Sequence, residues 1–151
     1  MTQNNARRTT FSFAPPVDNP TAWQLRLDHF ADRINEGFPG AFTKLKGHLG
    51  PRSIDALTFE VSLSEGVWLR GLATTPYPEM GSVLVMDASA GEAARFAVWL
   101  RDSYAPAPDL VQFTTEIAMD LGEETPWEVP PHGTAEDLAQ VFQQHIDTFD
   151  R

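Results

Sequence analysis

Cysteine is absent from all 151 residues, which removes disulfide frameworks, thiolate zinc sites, iron–sulfur ligation and cysteine nucleophiles together. Long apolar runs are missing too: no stretch approaches the roughly 20 residues needed to span a bilayer. Arg7 and Arg8 suggest a twin-arginine signal, but the apolar region it requires is cut short by Pro15 and Pro16. A cytoplasmic location is expected. Histidines number four, and His29, His48, His132 and His145 have neither the i, i+4 nor the H-x-H spacing of a metal motif.

Bases are scarce in one half of the chain. Residues 77–151 hold fourteen acids against three bases, a net of −11, whereas residues 1–76 hold seven acids against eight bases, a net of +1. Such a field disfavours nucleic acid and anionic membrane as partners and favours a basic protein. The bases Lys44, Lys46 and Arg52 are not interleaved with aromatics, so no RNA-binding pattern is formed.

What is present is a 42% apolar composition with four Trp and ten Phe, enough for one globular core. Residues 1–18 are polar and punctuated by proline, and are expected to be a mobile arm preceding a single domain at 19–151. After Asn19 and Pro20, a stripe of Trp23, Leu27, Phe30, Ile34 and Phe38 predicts a helix of about five turns. Residues 41–52 read as a basic loop. Leu57, Phe59, Val61 and Leu63 alternate with polar residues as a strand, Ser64, Glu65 and Gly66 turn the chain, and a second strand returns from Val67.

Val83, Leu84, Val85 and Met86 suggest a central strand covered on both faces. Ser89 with Glu92, and Thr134 with Asp137, are capping patterns that open two further helices. Between them, alternation over residues 111–119 predicts a fourth strand. Trp127 to Val129 predicts a short fifth, held to an edge by Pro126, Pro130 and Pro131. The expected fold is α+β: a largely antiparallel sheet of four to five strands with three helices, in the order α-β-β-β-α-β-(β)-α.

Catalytic signatures do not emerge. Neither G-x-S-x-G nor a phosphate-binding glycine loop occurs, and Glu123 and Glu124 sit in a polar turn rather than a setting that would displace a carboxylate pKa. Asp120, Glu123 and Glu124 lack the alternating oxygen ligands of a calcium loop. No enzyme activity, cofactor or metal is therefore expected. The residues left are Asp109, Glu116, Asp120, Glu123, Glu124 and Glu128, gathered in sequence around Trp127. An exposed ring supplying area, rimmed by carboxylates that steer a basic partner, is the expected binding site. The alternative is a small-molecule binder or enzyme with a pocket between the sheet and the first helix, lined by Trp23, Trp68 and Trp99 with Arg70 or a histidine at its mouth.

The element order resembles the type III secretion chaperone-like fold, which includes the YbjN-like proteins. The small, acidic, cysteine-free composition is similar to that of immunity proteins of bacterial polymorphic toxin systems. Either resemblance implies a non-enzymatic binding protein whose partner is an effector or a toxin, and a homodimer is compatible with both. In the immunity version, carboxylates would mimic the phosphates of a toxin's substrate.

Overall fold

A computed structural model describes residues 7–46 and 55–150. It is an α+β fold with one seven-strand antiparallel sheet in the order β2-β3-β4-β5-β1-β6-β7. The strands are β1 (Thr9–Ala14), β2 (Phe42–Lys46), β3 (Asp55–Ser64), β4 (Val67–Tyr77), β5 (Met80–Ala88), β6 (Gln112–Thr115) and β7 (Trp127–Glu128). Helices α1 (Leu27–Gly37), α2 (Ala90–Trp99) and α4 (Ala135–Phe149) are longer, and α3 (Glu116–Asp120) is a single turn or so. Among the described residues, no helix is long and apolar enough to cross a membrane.

The segment expected to be an arm instead supplies β1, hydrogen-bonded to β5 on one side and β6 on the other. Its alternation is brief, with Phe11 and Phe13 inward and Thr10, Ser12 and Ala14 outward, but both rings are completely buried. Phe142 of α4 lies 5.2 Å from Phe11 and 6.0 Å from Phe13, centroid to centroid. Fully burying a Phe ring contributes about 1.5–3 kcal/mol. Two such rings, with paired backbone on both edges, fix this strand. Arg8 holds its start, accepting no freedom there: its guanidinium donates to Glu92 at 2.7 Å and to the Asp87 carbonyl.

Other boundaries also move. The first helix begins at Leu27 rather than beside Pro20, because the chain turns at Gln24 with a left-handed φ of 48°. Trp23 and Leu25 are still buried, so the apolar stripe was a true core signal spread over a turn and a helix. Part of the expected basic loop is β2, paired with β3 from Phe42–Glu60 to Lys46–Ala56; His48 and Arg52 lie outside the described residues. The hairpin at Ser64, Glu65 and Gly66 forms as expected, with Gly66 at φ 77°. Both capping boxes form, Ser89 with Glu92 and Thr134 with Asp137.

All three long helices pack on one face of the sheet. Phe30 of α1 meets Phe59 of β3, Phe96 of α2 meets Phe13 and Phe59, and Phe142 meets Phe113 at 4.5 Å. β5 is consequently covered by helices on one face only: Val83 and Val85 are fully buried, while Leu84 and Met86 point to the other side and are partly buried. α2 runs on into one π-helical turn, Leu100–Tyr104, which brings Arg101 inward against the loop before α4.

Candidate partner-binding surface

β6 does not continue to residue 119. Thr115 ends it and caps α3, its Oγ1 accepting from Ala118 N–H at 3.2 Å. Ile117 and Ala118 are buried and pin the helix down. Glu116, Met119 and Asp120 therefore face outward, and Leu121 follows them. Gly122, at φ 82°, then reverses the chain, and Glu123 N–H closes the turn on the Ala118 carbonyl.

This one helix and its turn gather Glu116, Asp120, Glu123 and Glu124 at one end of β6. None of the four is ion-paired to a described base. The Glu123 carboxylate accepts from Thr125 N–H at 2.9 Å, which holds the turn in shape. Between the acids stand Met119, 51% exposed, and Leu121, 52% exposed. A recess of about 440 Å3, lined by Thr114, Met119, Gly122, Glu123 and Glu124, opens beside them.

The remaining expected residues lie elsewhere. Asp109 is in the loop leading into β6 and Glu128 pairs with Gln112, so both are at the opposite end of that strand. Trp127 is not an exposed anchor. It sits opposite Phe113 in register, on the helix-covered face, with its ring edge-on to His145 at 4.5 Å and 6.1 Å from Phe149. The exposed apolar side chains among the acids are Met119, which fits strand-like alternation as well, and Leu121 beyond it. The signal for them was Thr115, a capping residue placed where the pattern asked for a strand to continue.

His145 is fully buried behind Trp127, with its Nε2 3.0 Å from Thr115 Oγ1. Burial pushes its pKa down to about 4, against a smaller opposing pull from Glu123. It is neutral at pH 7 and has no exposed surface with which to meet a substrate. Among the described residues, no group of three His, Asp or Glu is placed to hold a metal ion.

The three tryptophans of the pocket alternative do not converge. Trp23 is buried and donates to the Leu110 carbonyl at 2.6 Å, and Trp99 packs among Phe30, Phe38 and Phe96. Those rings fill the space between α1 and the sheet. Trp68 and Arg70 lie on the opposite face, because alternation along β4 sets them against the buried Leu69 and Ala73. There Trp68 approaches Phe42 at 6.1 Å, and a recess of about 550 Å3 is lined by Phe42, Lys44, Thr58, Glu60, Arg70 and Met86 among others.

Comparison with family models, with curated proteins and with solved structures finds no match for this chain.

Proposed function

We propose that the protein is a non-enzymatic binding module for a basic protein partner, either a chaperone-like adaptor or an immunity protein that occupies a toxin's cationic cleft. The observation that carries this reading is the α3 surface: four carboxylates without described ion-pair partners around exposed Met119 and Leu121. Unpaired acids leave their field free to steer a cationic surface, and the two apolar side chains supply area that gains by leaving water. The acids accelerate encounter; the apolar pair slows escape.

The test takes a partner captured by crosslinking in the native host and measures its association with purified wild-type and variant chains. Glu123→Lys combined with Glu124→Lys should lower the association rate about tenfold or more and flatten its dependence on salt. Met119→Ser combined with Leu121→Ser should chiefly raise the dissociation rate. A captured partner whose kinetics ignore both pairs of substitutions would overturn the reading.

A further inference from the structure

One face of the sheet carries no helix, and its centre mixes small polar and apolar side chains with few charges. Ser82, Leu84 and Met86 of β5, Ser12 and Ala14 of β1, and Gln112 and Thr114 of β6 line it, and the one charged residue within these three adjacent strands, Asp87 beside the β1–β5 bulge, is ion-paired to Arg8. Leu72 of β4, in register with Leu84, extends the apolar patch. A solvated antiparallel face ordinarily alternates to charged and polar residues. Here the charges outside that one ion pair stand at the two sides.

The two sides differ in sign. On the β2–β4 side stand Lys44 and Arg70 with one acid, Glu60, between their strands. On the β7 side stand Glu128, and Glu123 and Glu124 beside Thr114. A surface that is cationic on one flank, without net charge in the middle and anionic on the other is complementary to itself after a half-turn.

We propose that this face is the interface of a symmetric dimer whose twofold axis runs parallel to the strands above β5. That operator lays β5 on its own copy, β4 on β1, β3 on β6 and β2 on β7. Leu84 and Met86 meet their equivalents at the axis, and Lys44 meets the edge that carries Glu124 and Glu128. The other in-plane axis, perpendicular to the strands, would set β2 on β2 and β7 on β7, like charge on like. The polarity of the face selects the first arrangement.

The area is sufficient. Seven strands spaced ~4.8 Å apart and averaging about 20 Å in length, the longest being β3, β4 and β5, give roughly 600 Å2 per chain, or ~1,200 Å2 for the pair, at the lower bound of stable interfaces. The net charge of −10 on each chain opposes approach. Screening over ~8 Å at physiological salt limits that repulsion to groups near the contact, where the pairing is favourable.

Sedimentation equilibrium of the full chain alone, with no other protein present, tests this independently of the binding-module reading. The wild type should have twice the mass of the chain. Lys44→Glu should weaken self-association about tenfold, since symmetry repeats the loss, and Glu124→Lys with Glu128→Lys should do the same. Combining all three should restore it. Leu84→Glu, which opposes two carboxylates at the axis, should give a single chain whose circular dichroism spectrum remains that of the wild type. A monomeric wild type, dimers indifferent to every substitution, or charge reversals that fail to rescue one another would each overturn the proposal. If Leu84→Glu alters the spectrum, Met86→Lys takes its place, and a dimer that survives it does so as well.

Discussion

His145 shows how a single buried residue sets a pH limit. Its Nδ1 has no partner among the described atoms, and its ring is boxed by Phe113, Trp127 and Phe149 at centroid distances of 4.5–4.9 Å. The folded state therefore resists protonation, with a pKa of about 4, while the unfolded chain protonates near 6.5. Between those values the unfolded state binds more protons, so stability rises with pH through this window and falls as pH drops from 6.5 toward 4. At pH 4.5 the loss from this group is about 2–3 kcal/mol relative to pH 7.5. Urea denaturation at both pH values should show that His145→Phe loses less stability than the wild type on acidification, by about this amount. Equal losses would mean that His145 titrates normally. Nothing in the sequence distinguished this histidine beyond its place near an apolar helix face, because its partner Thr115 is thirty residues away.

Elements are held together by contacts that local patterns do not reveal. Arg101 is 5% exposed, pairs with Asp102 through two bonds of 2.7 and 2.9 Å, and donates to the Pro130 and Gly133 carbonyls at 3.0 Å each. It thus ties the π-helical turn to the loop that positions α4, a task suited to a planar fork of donors. Arg101→Lys can keep the charge but not the whole set of bonds. It should lower stability by about 1.5–3 kcal/mol with an unchanged denaturant slope; an unperturbed midpoint would show that the carbonyls find other donors. Long-range dependence also explains what the sequence showed and hid. The β3–β4 hairpin, the edge position of β7 and both capping boxes were legible because each is set within about ten residues of chain. β1 was not, because its partners begin at Met80 and Gln112, and two phenylalanines in a proline-flanked stretch make a weak signal alone. α3 was hidden by Ile117 and Met119, which satisfy a period of two as well as they fit one helical turn.

At the scale of the molecule, topology turns an imbalance along the chain into a polarity across the sheet. β2, β3 and β4 come from the nearly neutral first half and form one side; β6, α3 and β7 come from the acidic second half and form the other. β1 crosses between them without adding charge to the open face. Both proposed surfaces draw on this polarity, and Glu124 belongs to each, so a basic partner and a second copy of the chain compete for the same flank. A short lysine-rich peptide is the simplest probe of that competition. At low ionic strength it should shift the sedimentation coefficient from that of a pair to that of a single peptide-bound chain, and Glu124→Lys should reduce its effect. Near 1 M salt, where the screening length is about 3 Å, the peptide should lose its grip while the apolar contacts at Leu84 and Met86 persist. A dimer unchanged by the peptide at low salt would separate the two surfaces and confine the partner to the outer side of α3.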